Sequence, residues 1–374
     1  MKRNLAVVFM MAAVFYTSNY FFQSKIQASA TVETRNFNEI IREASQATVV
    51  IELKRTINDA VSYVSMGGGV FVREDGYILT NYHIVDGNED NLAIHCLPQS
   101  EDYQSRYIGD LNIMRQYRRY DVKIISYDPI RDLALLKIDG SGFPTINFGD
   151  DPKVGDRVFA IGSPLGLRWT VTHGIISREF SILDFSEKSG GKHDYYIQTD
   201  AAINSGNSGG PLLNEKGELI GLNAALIAPI GLKINAGLNL AVPIGDIRVL
   251  LPRLFEEKTT PERSYLGIKF ISPYQEAPKE FKDYAAEHNI IIPQERDGIL
   301  ITDVKKISPA DQAGLRIGDI IKFIDGKKII SFVDLNQAAV LQKPGKIIRA
   351  EIQRRERTIN LNIALEKKSD TDTD

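Results

Sequence analysis

The chain has one cysteine, five histidines and one tryptophan in 374 residues, and neither sign of charge dominates it. A single thiol, Cys96, cannot close an intrachain disulfide or supply a cysteine cluster for structural zinc, so stability must come from a packed core. Lys plus Arg number 45 against 48 Asp plus Glu, a net charge of −3, so no global cationic field is available to hold nucleic acid. No internal repeat and no low-complexity segment interrupts the chain, and no metal or cofactor is expected. At roughly 100 to 200 residues per domain, the length suggests about two folded domains.

The amino terminus carries an export signal. Lys2 and Arg3 precede an uncharged run from Asn4 to Ser24, just long enough to cross about 30 Å of hydrocarbon. Two readings of residues 1–30 are open, both of them export. An uncleaved anchor would leave the Lys2/Arg3 end in the cytoplasm and everything after Lys25 outside it, in a bacterium the periplasm, a single pass through the inner membrane. Alternatively, Ala28-Ser29-Ala30 is a signal-peptidase pattern, and cleavage near Ala30 would release a soluble periplasmic protein.

From Thr48 to Val242 short apolar runs alternate with Gly and Asp-Gly turns: Val49–Ile51, Gly69–Val72, Tyr77–Thr80, Leu133–Ile138, Val158–Ile161 and Leu219–Leu222. This spacing predicts an all-β barrel or sandwich. A short helix is expected over Ile247–Phe255 and a polar, proline-containing linker over 256–264. Strands resume from 265 to 366, with helices expected at Ser308–Ala313 and Asp334–Leu341. Residues 367–374, rich in Thr and Asp, are expected to be disordered. The division is thus 1–30, 31–255, 256–264, 265–366 and 367–374.

Three places carry chemistry. Gly206-Asn207-Ser208-Gly209-Gly210-Pro211 can form a tight turn with amides aimed inward and a hydroxyl at its apex. His83 follows a predicted strand and could serve as base. Asp132, just before the apolar run Leu133–Ile138, could orient the imidazole. The order His83, Asp132, Ser208 is that of the chymotrypsin-type β-barrel enzymes. Other orders fit worse, because the one histidine after Ser208 is His288, in the second domain, and Cys96 lies in an apparent strand and reads as a small buried side chain.

The segments Gly76 to Val85, Asp132 to Lys137 and Gly206 to Leu212 resemble the three catalytic blocks of the HtrA (Deg) family of serine proteases. Ile161 to Leu167 and Thr172 to Ser177 resemble family segments flanking the activation and substrate loops. The resemblance covers most of residues 48–366. It implies a mainly β fold, a chymotrypsin-like double β-barrel followed by an α+β PDZ domain, with His83 as general base, Asp132 as orienting acid and Ser208 as nucleophile. The oxyanion hole would use the amides of Gly206 and Ser208, with Asn207 between them.

Trypsin-like enzymes that select basic residues carry an acid six residues before the nucleophile, and Ala202 stands there. The segment Asn223, Ala224, Ala225, Leu226, Ile227 is expected to wall an apolar pocket, which favours cleavage after small or medium aliphatic residues. The loop from Phe180 to Tyr195 is the expected disorder-to-order switch. The excess length between His83 and Asp132, Pro98 to Tyr120, carries arginines and tyrosines and reads as a solvated insertion.

Tyr265, Leu266, Gly267 and Ile268 resemble the carboxylate-binding loop of PDZ domains, where a peptide C-terminus adds a strand to the sheet. Ser308 to Ile321 resembles the matching stretch of HtrA-type PDZ domains. A single PDZ, an amino-terminal anchor and a long insertion at Ser272–Pro293 resemble the DegS branch. That likeness implies a homotrimer in the inner membrane, activation by C-termini of misfolded outer-membrane proteins, and cleavage of a membrane-embedded anti-sigma factor. The alternative is a soluble degradative protease or chaperone of the DegP/DegQ type.

Overall fold

The computed structural model describes residues 36–57, 60–97, 118–184, 193–224, 237–273, 275–293 and 297–369. The apolar amino terminus, and with it the anchor and signal-peptide readings, lies outside the described residues. Two compact units divide at residue 40. Among the described residues, the first contributes only the opening turn of a helix, Phe37–Gln46. The second, from Ile41 onward, holds the barrels, the third sheet and every described candidate site residue.

Twelve strands form two closed barrels. The first comprises β1 (Thr48–Ile57), β2 (Ala60–Arg73), β3 (Tyr77–Thr80), β4 (Leu92–Cys96), β5 (Arg118–Asp128) and β6 (Leu133–Ile138), in the order β1-β2-β3-β6-β5-β4. The second comprises β7 (Arg157–Gly162), β8 (Thr170–Asp184), β9 (His193–Thr199), β10 (Pro211–Asn214), β11 (Leu219–Ala224) and β12 (Asn239–Pro243), in the order β10-β11-β12-β9-β8-β7. Closure removes the free edges that open sheets of this size would expose. Val49, Ile51, Phe71, Ile78, Ile94, Leu136 and Phe143 fill the first barrel. Val158, Ala160, Ile176, Ile197, Leu212 and Ile220 fill the second. β-Branched and aromatic residues dominate both sets, as a pleated, half-buried surface favours.

A helix, Ile244–Glu257, packs on β5, β6, β11 and β12 and closes the barrels' outer side. It begins three residues before the sequence pattern places it and tolerates Pro252. The hydroxyl of Ser126 donates to the carbonyl of Leu254 at 2.7 Å, satisfying one of the last-turn acceptors that a helix leaves unpaired.

The carboxy-terminal part is a sheet ordered β14-β15-β16-β18-β19, with β14 (Ile268–Ile271), β15 (Ile299–Val304), β16 (Ile320–Ile324), β18 (Ile347–Arg354) and β19 (Arg357–Ala364). The short β17 (Lys327–Lys328) pairs with β16, and β13 (Ser264–Tyr265) pairs with β20 (Glu366–Lys367). Helices Pro309–Gln312 and Phe332–Leu335, the latter running on as a π-helical turn Asn336–Val340, cover its core. The insertion at Ser272–Pro293 contains a helix of its own, Lys279–Glu287.

Three expectations need correction. Ser264, placed in the linker, and Lys367, placed in a disordered tail, pair with each other as strand partners, because main-chain hydrogen bonding closes the domain's two ends despite polar side chains. Phe180–Asp184 and His193–Tyr195, expected in a switch loop, extend β8 and β9 and pair from Ser181↔Tyr196 to Asp184↔His193; residues 185–192 lie outside the described set. Arg118, Arg119 and Tyr120, expected in a solvated insertion, begin β5 and pair with β4, while 98–117 lie outside the described residues.

A buried polar junction joins the barrels to the third sheet. Asp246, fully buried at the start of the long helix, accepts from Arg131 Nε at 2.7 Å, Tyr195 OH at 2.8 Å and Gln337 Nε2 at 2.8 Å. Asn336 Nδ2 donates to Tyr195 OH at 2.8 Å, and Arg253 donates to the carbonyl of Leu341 at 2.7 Å. Burial, and next the Asp246 charge, push the Tyr195 phenol well above its ordinary range, so it stays a donor. A carboxylate taken out of water needs this degree of satisfaction.

Candidate active site

Asp132 adopts a left-handed backbone, φ 54°, a conformation that costs a non-glycine residue of order 1 kcal/mol and persists only where neighbours enforce it. The turn before it is bound to do so. Asp128 Oδ1 accepts the amides of Ile130 at 3.0 Å and Arg131 at 3.1 Å, and Arg263 holds the same carboxylate at 2.6 Å. The strand after it, β6, is almost wholly buried. Asp132 is thereby presented where the first barrel ends.

Its carboxylate meets His83 twice. Oδ1 accepts the His83 backbone amide at 2.9 Å, and Oδ2 lies 2.8 Å from His83 Nδ1. An ionised carboxylate can only accept, so Nδ1 carries the hydrogen and Nε2 keeps its lone pair for another proton. His83 itself sits in the short helix Tyr82–Val85 that comes after β3. Its side chain is 45% exposed and that of Asp132 is 20% exposed, so the pair opens to solvent. Beside it, Tyr82 donates to Asp86 at 2.7 Å, which raises the phenol to about 12.

The Gly206–Gly210 turn is docked on the first barrel by glycines. The amide of Gly68 donates to the carbonyl of Ser208 at 2.7 Å. A Cβ on Gly209, φ 79°, would run into the Gly68 carbonyl and the Thr80 hydroxyl, and one on Gly67 would meet the Ser208 carbonyl at 2.6 Å and Ile84 at 2.8 Å. Ser208 is thus seated against β2 and the end of β3, within the same corner as His83. Gly206, φ 103°, has no room for a Cβ beside the Ser163 carbonyl, and its own carbonyl accepts from the Ser163 amide at 2.9 Å.

Two residues that sequence reasoning did not single out complete the corner. Asn81 Nδ2 donates to the Asp132 carbonyl at 2.9 Å, and Thr80 Oγ1 donates to the Gly68 carbonyl at 2.7 Å. Both are fully buried. Two polar side chains in succession at the end of an apolar strand were the available signal.

The other expected positions divide. The Asn207 amide donates to the Asn204 carbonyl at 2.9 Å and its side chain to that of Ala202 at 3.3 Å. The Asn207 backbone amide and one of its two carboxamide hydrogens are therefore engaged within the protein rather than aimed at an oxyanion. Asn223, expected in a pocket wall, is fully buried instead. It exchanges backbone hydrogen bonds with Gly209 and Gly210 and donates through Nδ2 to Pro211 at 2.9 Å, bracing the turn from behind. Ala202 is part-exposed and Ala224 buried. Ala225, Leu226 and Ile227 lie outside the described residues. Cys96 is buried in β4 and burial pushes its thiol up to about 12, so it is no nucleophile at neutral pH.

In the third sheet, Gly267, φ 77°, packs its Cα against Ser308, and its carbonyl accepts the Lys305 amide at 2.9 Å. β14 begins at the next residue and is an edge strand, with one row of backbone groups unpaired within the sheet. Tyr265, by contrast, is drawn into β13 opposite Glu366.

The description "Trypsin-like peptidase domain" matches residues 67–222 and "PDZ domain" matches residues 264–365. Serine protease HTRA1 of Xenopus tropicalis is 35% identical over 341 residues, covering 87% of this chain and 65% of that protein. A probable periplasmic serine endoprotease, DegP-like, of Chlamydia trachomatis is 35% identical over 305 residues, 80% of this chain and 53% of that one. The chain thus spans between about half and two thirds of the length of these curated relatives. Among solved structures, the HtrA-type protease AlgW with tripeptide superposes with a TM-score of 0.59 at 27% identity, and AlgW with decapeptide with 0.57 at 26%. Each covers 89% of this chain, and the chain covers 98% and 99% of them.

Proposed function

Since the chain belongs to the HtrA family of trypsin-like serine proteases with one PDZ domain, we propose that it is a serine endopeptidase of envelope protein quality control in which Ser208 attacks the scissile carbonyl. The observation that carries the reading is the double contact of Asp132 with His83, at 2.9 and 2.8 Å, beside a nucleophile turn that only glycines permit. His83 Nε2 takes the Ser208 proton during attack and returns it to the leaving amine. Asp132 holds the tautomer and stabilises the imidazolium that forms. The Gly206 and Ser208 amides receive the oxyanion, where one donor is worth about 10² to 10³ in kcat.

Ala202, six residues before the nucleophile, supplies no counter-charge for a cationic P1 side chain. Cleavage after small or medium aliphatic residues is the expected outcome. Purified chain should hydrolyse an unfolded protein, and Ser208→Ala should not; main cleavage after Lys or Arg would overturn the specificity argument.

The edge strand β14 and the Leu266-Gly267-Ile268 loop support peptide C-termini as ligands, added as a further strand. The apolar run at Asn4–Ser24 supports membrane anchorage in a periplasmic setting, and with the single PDZ it favours a regulatory role. In that role a trimer would sense C-termini of misfolded outer-membrane proteins and cleave a membrane-embedded anti-sigma factor. The Ala28-Ser29-Ala30 pattern favours the second reading, a soluble periplasmic degradative protease. Fractionating cells that express Ser208→Ala separates the two: full-length chain in the membrane supports the first, and soluble chain beginning near Thr31 supports the second.

A further inference from the structure

Outside the His83 corner, a cluster of charges is buried among the described residues. Glu52, on β1, has no exposed side-chain surface. Its Oε1 accepts from Arg168 Nη2 at 2.5 Å, and its Oε2 lies 3.4 Å from His95 Nε2 and 3.6 Å from Arg119 Nη2. His95 comes from β4 and Arg119 from β5, where its guanidinium also stacks over Tyr63 at 3.6 Å. These three partners are not alike. His95 and Arg119 belong to the first barrel with Glu52, whereas Arg168 belongs to the connection between β7 and β8 of the second.

The residue after Arg168 repeats the attachment. Trp169 is 2% exposed, has φ 53°, and donates through Nε1 to the carbonyl of Thr48 at 3.0 Å. Thr48 and Glu52 are four residues apart on one strand, so β1 grips the β7–β8 connection at two successive residues. A third tie, Ser65 Oγ to Ser163 Oγ at 3.3 Å, joins β2 to the start of that connection.

This connection is also the floor of the nucleophile turn. Gly162 lies so close to Asn207 that a Cβ there would stand 2.5 Å from its side-chain oxygen. The Ser163 amide donates to the Gly206 carbonyl, and Gly206 packs on the Ser163 carbonyl and Pro164. The orientation of the peptide unit at Gly206 therefore depends on where residues 162–164 are held: Gly162 is paired with Thr170 within the second barrel, while the far end of the connection, Arg168 and Trp169, is fixed from the first barrel. Long-range placement of this kind is costly unless fixed by buried, charge-assisted contacts.

We propose that Glu52 and Arg168 are positioning residues for the oxyanion turn, a clamp through which the first barrel holds the 162–169 connection beneath Gly206. The inference rests on the serine-protease reading of that turn. Two features make it testable. Trp169 is the chain's one tryptophan, so its emission reports the clamped connection directly. Arg119 faces the same carboxylate without reaching the connection, so Arg119→Ala separates the clamp from the general charge of the cluster.

The experiment compares full-length Glu52→Gln, Arg168→Gln, Arg168→Lys and Arg119→Ala by kcat and KM on a fluorogenic peptide with an aliphatic P1 residue, together with Trp169 emission. The clamp predicts a fall in kcat of about tenfold for Glu52→Gln and Arg168→Gln, a fraction of the loss of a whole oxyanion donor. KM should stay within about twofold, because the ground state does not use the oxyanion hole. Emission should move to longer wavelength, Arg168→Lys should recover part of kcat, and Arg119→Ala should behave as the parent. If Glu52→Gln fails to fold, Arg168→Gln decides alone. Parent-like kcat in Arg168→Gln, with or without an emission change, overturns the clamp, as does an equal loss in Arg119→Ala. A parent chain that hydrolyses nothing would remove the protease reading and the clamp together, an outcome distinct from active parent and unaffected variants.

Discussion

Acidification from pH 7 to pH 5 should cost the folded chain roughly 2 kcal/mol through His95 alone, and His95→Gln should remove that share. His95 is 3% exposed in β4. Burial lowers its imidazole from 6.5 to about 4, and the charges of Arg119 and Arg168 act in the same direction. Glu52 opposes them, but this one carboxylate already faces two guanidinium groups and cannot recover the cost of a third cation in the same buried space. Because the folded value lies below the unfolded one, the unfolded chain binds more protons between about pH 4 and 6.5. Stability therefore rises with pH through that window and is lost on acidification. At pH 5 the unfolded chain carries nearly one proton here and the folded chain about a tenth of one, and integrating the difference from pH 7 gives roughly 2 kcal/mol. The exposed carboxylates Glu276 and Asp297 do not confuse the window, since Lys282 and Lys328 hold them below the ordinary range. The assay is denaturant unfolding of parent and His95→Gln at both pH values, followed by Trp169, which is buried against β1. Parallel losses in the two proteins would refute the reasoning.

Asp132→Asn should keep the fold and lower kcat by about 10⁴, since an amide can hold the wrong imidazole tautomer; steady-state peptide hydrolysis checks it. Gly209→Ala should abolish measurable hydrolysis and lower the melting temperature, whereas Gly87→Ala, also at positive φ but with open space around it, should cost about 1 kcal/mol and leave turnover intact. Arg131→Met should destabilise by about 3 to 5 kcal/mol in chemical denaturation, because it leaves Asp246 buried without its cation, and adding Asp246→Asn should restore part of the loss.

The chemistry was largely legible along the chain because it depends on local backbone demands. Only glycine tolerates the crowding at Gly206 and Gly209, whereas His83 after one apolar run and Asp132 before another read singly as ordinary structural residues. It is their order with Ser208, together with the resemblance of the flanking blocks to the HtrA family, that singles them out. Asn223 shows where this stops. The segment Asn223 to Ile227 looks like a pocket wall, but a side chain's direction on a strand depends on register, and register turns Asn223 toward Pro211 and the turn. Arg119 likewise reads as one of several solvated arginines until pairing with β4 brings it against Glu52.

What the linear sequence determined, then, was the strands of the barrels and the third sheet and the glycines of the turn, since each is dictated by period, turn chemistry or steric exclusion within a few residues, while His83, Asp132 and Ser208 stood out through their order along the chain and the family resemblance. What only the tertiary structure decided was which buried charges meet. Glu52 and Arg168 stand 116 residues apart, Asp246 and Arg131 115, and the sequence carries no sign that either acid is buried. A buried carboxylate must find a partner wherever packing brings one within reach, and that choice is made by the closure of barrels and the docking of domains, through contacts that no local pattern records.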